Sequence, residues 1–305
     1  MPGGSAWKQA AKTVFHQAGG IGVARWMNRK GLRILMYHRF RDREALSRQC
    51  AHLRAHYAPV AMAQVADWLW HGTPLPAHAL AVTVDDGYRD FHQVAYPVFR
   101  EYGIPATVYL VSEFLDRKLW LWVDRVRYAY RHGRPSPGMA TAYETIEALK
   151  RIPNAERLRL LAALPEQLQV TLPEEAPVEF EALRWDAVRE MAAGGIEFGA
   201  HTRTHPVLSR LAAAEELAGE IGGSKRRIEQ ELGRPVAHFC YPNGSNQDFG
   251  EDAVEAVRAA GYRTAVTTVP GLNYEGANRF RLARIGVEPG LEQNYFERCA
   301  AGFRV

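Results

Sequence analysis

From residue 31 onward, short apolar runs alternate with stretches whose apolar positions recur every three or four residues. The first pattern predicts buried strands and the second amphipathic helices. The predicted strands are "RILMYH" (33–38), "ALAVTVDD" (79–86), "PATVYLV" (105–111), "GIEFGAH" (195–201), "VAHFCYP" (236–242), "YRTAVTT" (262–268) and "RLARIGV" (281–287). Helical periodicity covers 45–56, 62–71, 90–102, 184–193, 212–232 and 249–260. Strands separated by helices predict an α/β fold with a mainly parallel sheet. Seven of them suit a closed barrel better than a short open sheet.

Two regions depart from that rhythm. Between 112 and 183 the helical patterns at 122–132, 141–151 and 154–168 follow one another, punctuated by prolines such as Pro135, Pro153 and Pro173. This predicts a helical insertion within a barrel unit spanning 31–305. The first 30 residues form a separate amphipathic segment, with Trp7, Val14 and Phe15 on one helical face and Lys8 and Lys12 near it. Two readings fit: a helix resting weakly on an anionic inner-membrane surface through residues 1–33, or a helix packed on the barrel and stopped by Gly19-Gly20.

The polar residues fall where chemistry is expected. Predicted strands end in His38, in Asp85 and Asp86, in His201 and near Tyr241. In a barrel of parallel strands those ends share the face that carries active sites. Adjacent carboxylates repel each other and lose solvation at a strand end. Capping of the following helix explains one of them but not both. His201 and His205 in "HTRTH" are four apart, which predicts one helical turn pointing both imidazoles the same way. Two histidines and a carboxylate supply three ligands and leave an open position, as at a catalytic divalent metal. The second carboxylate is then free to take a proton from a metal-bound water.

Composition narrows the class. A net charge of +4 over 305 residues, without a Lys/Arg run, gives no reason to expect nucleic-acid binding. Three distant cysteines make no disulfide framework, and no signal-peptide core is visible, so the expectation is a cytoplasmic protein, not secreted and at most peripheral at the inner membrane.

With "TVDDG" (83–87) and "HTRTH" (201–205) in hand, the chain resembles the polysaccharide deacetylases, the NodB-homology or carbohydrate esterase family 4 proteins, of the exopolysaccharide type. "FCYPNG" (239–244) and "LARIGV" (282–287) resemble later family segments. The resemblance implies a distorted (β/α)7-type barrel and metal-dependent removal of acetyl groups from N-acetylated, GlcNAc-type sugars of a bacterial polysaccharide or its lipid-linked precursor. It also implies that Asp85 is the base and that Asp86, His201 and His205 hold the ion. The implied ion is Zn²⁺, with Co²⁺, Ni²⁺ or Mn²⁺ able to serve. Main-chain N–H groups of Tyr241, Asn243 and Gly244 are implied to face the oxyanion.

Two family motifs are altered. The arginine that orients the base elsewhere is replaced in Cys240-Tyr241-Pro242-Asn243, and the late Leu-x-His is here Leu282-Ala283-Arg284. His38 is therefore the candidate general acid, with a structural histidine as the alternative, and Arg284 is a candidate replacement for the missing charge. Trp120 and Trp122 are expected at the cleft rim, Glu197 beside a metal ligand, and Cys240 as a small buried apolar group. Opening of a cyclic amide, as in allantoinase-like relatives, and an inactive glycan-binding module are the alternative functions.

Overall fold

The computed structural model describes residues 20–303, so the amphipathic helix expected before Gly19 lies outside them. Among the described residues there are eight parallel strands: β1 Arg33–Tyr37, β2 Ala58–Pro59, β3 Ala79–Val84, β4 Ala106–Leu110, β5 Glu197–Ala200, β6 His238–Cys240, β7 Thr264–Pro270 and β8 Leu282–Gly286. From β3 the ring runs through β4, β5, β6, β7 and β8 to β1. It closes where β1 pairs in parallel with β3, with Leu35 beside Val82. The result is a closed barrel of seven parallel strands with surrounding helices, the distorted (β/α)7 architecture. The eighth strand, β2, lies outside the ring on β3. Its two residues are too few to show any periodicity.

Alternation along β3 separates two interiors. Leu80, Val82 and Val84 point outward into the large core beneath the helices. Ala79 and Ala81 point into the lumen, where they meet Tyr109, Cys240, Val266 and Leu282. Helix Met62–His71 closes the lower mouth by inserting Met62 and Val65 into the same lumen cluster. Gly199 on β5 is required there, since a Cβ would stand 2.5 Å from the Tyr109 ring. The upper mouth, at the carboxyl ends of the strands, has no such apolar plug and carries the polar residues.

Within the insertion at 112–183 that follows β4 the chain forms four α-helices, Ser112–Leu115, Trp122–His132, Ala142–Leu149 and Asn154–Gln167. The last three share an apolar centre of their own around Trp122, Val126, Leu149 and Leu161. The expected rim tryptophans are buried instead: Trp122 belongs to this centre and Trp120 to the main core. Among the described residues no helix is long and apolar enough to cross a membrane.

His238 on β6 is buried, with Nδ1 2.8 Å from Thr264 Oγ1. Burial first, then the nearby Arg263 and Lys225, push its pKa from 6.5 down to about 3. The unfolded chain therefore takes up a proton near pH 6.5 that the folded chain refuses until about pH 3. Stability from this residue is full above that window and falls by about 1.4 kcal/mol per pH unit within it. Urea unfolding of His238→Gln between pH 4 and 7 should give a shallower slope than the wild type. Parallel slopes would refute the expectation.

Candidate active site

Asp85 and Asp86 follow directly on β3, and the backbone between them turns sharply. Asp86 has φ 73° and Gly87 φ 83°, a left-handed pair that sends the two carboxylates in different directions. A Cβ on Gly87 would also lie 2.8 Å from the Leu110 side chain. Neither acid caps a helix. Asp85 points down into the barrel and Asp86 faces the histidines.

Arg284 decides the environment of Asp85. It projects from β8 into the lumen and is fully buried. Its Nη1 donates to Asp85 Oδ1 and its Nη2 to Oδ2, each at 2.7 Å. The rest of the guanidinium is held as well: Nε donates to Thr267 O at 2.7 Å, Nη1 to Thr83 Oγ1 at 3.1 Å and Nη2 to Cys240 Sγ at 3.1 Å. Cys240 is thus small and buried as expected, but it also accepts this bond. Burial opposes ionisation of Asp85, yet the Arg284 charge and hydrogen bonds outweigh it and hold the carboxyl below the ordinary range. His38 stands at the end of β1, half-exposed, with Nε2 3.7 Å from Asp85 Oδ2.

Asp86, His201 and His205 converge. Each histidine places Nε2 3.5 Å from Asp86 Oδ1. Donors about 2.0–2.1 Å from one tetrahedral ion lie about 3.4 Å apart, so this spacing fits a divalent cation. The two rings differ in protonation. Burial opposes a charge on His201, but Cys240 and Asp86 outweigh it and hold its pKa well above 6.5, with Nδ1 2.7 Å from Cys240 O and Nε2 facing Asp86. Burial, then the adjacent His201, pushes the His205 pKa down to about 3, so that ring is neutral. His205 Nδ1 is buried and without a hydrogen-bond partner among the described residues.

The histidine motif is a loop, not the helical turn its spacing suggested. Residues 201–207 have no regular structure, and Thr202 and His205 adopt φ 67° and 60°. The imidazoles converge because the loop is fastened from outside. Glu220, on helix Ala214–Leu232, accepts from Arg203 N at 2.8 Å, Thr204 N at 3.0 Å and Thr204 Oγ1 at 2.7 Å. Trp122 Nε1 donates to His205 O at 3.1 Å. Neither fastening role carried a signal in the sequence, since each side chain acts on backbone groups far along the chain. Glu220→Ala should weaken divalent-ion binding by about 10–100-fold while the barrel stays folded. Titration with Zn²⁺ under a competing chelator checks this, and unchanged affinity would sink it.

The segment after β6 corrects another expectation. The Tyr241 side chain is buried, stacked 3.8 Å from Phe249, with its hydroxyl donating to Phe280 O at 3.0 Å. The Tyr241 N–H donates to Val266 O at 3.2 Å and the Gly244 N–H to Pro242 O at 2.7 Å. Neither is available to a ligand. Asn243 remains: φ is 59°, its O accepts from Thr268 Oγ1 at 2.6 Å, and it lines the cleft. Its N–H bonds to no acceptor among the described residues, and its buried Nδ2 is unpartnered. Glu197 is also not at the site. It begins β5 at the opposite mouth, accepting from Thr107 Oγ1 at 2.8 Å and facing the Ala63 N–H at 3.3 Å.

Against this geometry, residues 72–265 match the model of the polysaccharide deacetylases. The chain belongs to that family. The chain is 22% identical over 273 residues to YxkH of Bacillus subtilis (strain 168), named for the same family, covering 87% of this chain and 74% of that protein. A 73-residue stretch is 37% identical to the poly-β-1,6-N-acetyl-D-glucosamine N-deacetylase of Escherichia coli (strain K12), covering 24% of this chain and 11% of that protein. In fold, this member of the family is similar to IcaB from Ammonifex degensii, with TM-score 0.61 and 20% identity over 89% of this chain and 96% of that one.

Proposed function

We propose that this polysaccharide deacetylase is a metal-dependent hydrolase that removes acetyl groups from N-acetylated, GlcNAc-type sugars. The observation that carries the reading is the division of labour between adjacent acids. Asp86 shares one oxygen between two imidazoles, while Asp85 is clamped at both oxygens by Arg284. Asp86, His201 and His205 are the residues that would hold a divalent ion, zinc by its donor set of two imidazoles and a carboxylate. Bound there, such an ion polarises the amide carbonyl and lowers the pKa of water.

The chain's own groups supply the remainder. Asp85, ionised at neutral pH, takes the proton of the attacking water. Its bidentate bond to Arg284 fixes the carboxylate and leaves the outward lone pairs to act. The free Asn243 N–H donates to the oxygen on which negative charge develops. His38, beside Asp85 and open to the cleft, delivers a proton to the departing amine. The match to a poly-N-acetylglucosamine N-deacetylase over part of the chain supports an amide as the bond attacked.

Acetate release from N-acetylchitooligosaccharides tests the reading. Turnover is expected with Zn²⁺ or Co²⁺, is lost on chelation, and returns on metal addition. His205→Ala should bind Zn²⁺ about a hundredfold more weakly, since losing a ligand costs at least as much as losing a group that orients one. No acetate from any N-acetylated sugar in the loaded protein would reject the proposal.

A further inference from the structure

The cleft above Asp85 and Asp86 has a volume of about 660 Å³, and its walls carry more cations than acids. The surplus is concentrated on the insertion side. Lys150 and Arg151 follow helix Ala142–Leu149, and Arg210 follows the histidine loop. Arg210 Nε donates to Lys150 O at 3.3 Å, which joins the two segments at one edge of the opening. Arg41 also lines the cleft.

The acids of the cleft are already engaged. Lys150 pairs with Glu147 at 2.7 Å. Asp248 accepts from Ser245 N at 2.8 Å and from the Ser245 hydroxyl. Asp124 accepts from Arg127 at 2.9 Å and from the Tyr88 hydroxyl. Asp85 belongs to Arg284. Among the described residues no carboxylate pairs with Arg41, Arg151 or Arg210, and both Nη atoms of Arg210 are unbonded. A neutral glycan gains hydrogen bonds from unpaired guanidiniums beside a centre built for a divalent cation, but no attraction between charges. An anion gains from both: a cleft with a surplus of positive charge draws it in, and a guanidinium fork binds phosphate or carboxylate with two parallel hydrogen bonds.

We propose that the sugar taken by this site carries an anionic group, phosphate or carboxylate, beside the N-acetylated residue, and that Arg151 and Arg210 receive it. The inference rests on the deacetylase reading and specifies its substrate. It distinguishes an acidic or phosphate-linked glycan from a neutral homopolymer.

Three sugars test it on the zinc-loaded protein: N-acetylchitotriose, which is neutral, UDP-N-acetylglucosamine, which carries a pyrophosphate, and hyaluronan tetrasaccharide, which carries carboxylates. One of the two anionic sugars should show at least about tenfold higher kcat/KM than the neutral one, through KM, and lose the advantage as salt is raised. Which of the two it is names the anion. The preference should fall about tenfold in Arg151→Gln/Arg210→Gln. Arg151→Gln alone, at an exposed residue, should give part of that fall without disturbing the fold. Equal kcat/KM for all three sugars in the wild type, or an unchanged preference in both variants, would overturn the proposal and leave deacetylation standing. If none releases acetate, deacetylation fails and calorimetric binding decides. Tighter binding of an anionic sugar, lost in the double variant, upholds the anion site; equal or absent binding rejects it.

Discussion

Asp85→Asn is expected to lower turnover by about two to four powers of ten, the range for loss of a positioned base. The amide keeps the shape of the carboxylate and still accepts from Arg284, but it cannot take a proton. Asp85 also lies within ligand range of His201 and Cys240, but both its oxygens are taken by Arg284, so metal content should be unchanged. The measurement is acetate release per bound zinc, with zinc read by elemental analysis. Loss of zinc in step with turnover would mean that Asp85, not Asp86, is the ligand.

Arg284→Met should have the second large effect, and it reads out in two ways. Removing one member of a buried pair leaves the other charge uncompensated, at a cost of about 3–5 kcal/mol in urea unfolding. In the wild type Asp85 is depressed below 3.8, so its contribution is present above that pH and lost only as pH falls through the lower folded value. Without Arg284 the burial that opposes ionisation is countered only by His38 and His201. The Asp85 pKa then rises, and the acid limb of kcat/KM shifts to higher pH. A destabilised variant with an unmoved acid limb would show that Arg284 serves the fold and not the base.

Much of this was legible before any coordinates. Seven apolar runs and the amphipathic stretches between them imply a barrel, because side chains that repeat with period two or 3.6 commit a segment to one kind of surface. The site was legible at the strand ends, where Asp85, Asp86 and His201 interrupt apolar runs at positions that a parallel barrel gathers on one face. What spacing misjudged was conformation. Two histidines four apart suggested a helix, but they meet Asp86 through a loop with two left-handed residues, fastened by Glu220.

The sequence by itself determined the ring of strands, the face on which chemistry occurs and the residue types available there, because each is encoded within a few neighbouring positions. Only the tertiary structure decided which groups meet. Arg284 reaches Asp85 across 199 residues of chain, to form the bidentate bond no local pattern announces. Asn243 keeps an N–H without an acceptor among the described residues, while Tyr241 and Gly244 donate theirs to Val266 and Pro242. Glu197, on a strand whose far end carries a metal-site histidine, is removed to the opposite mouth by the length of that strand. Those outcomes depend on strand register and lumen packing, which arise from contacts between distant segments and leave no periodic trace in any one of them.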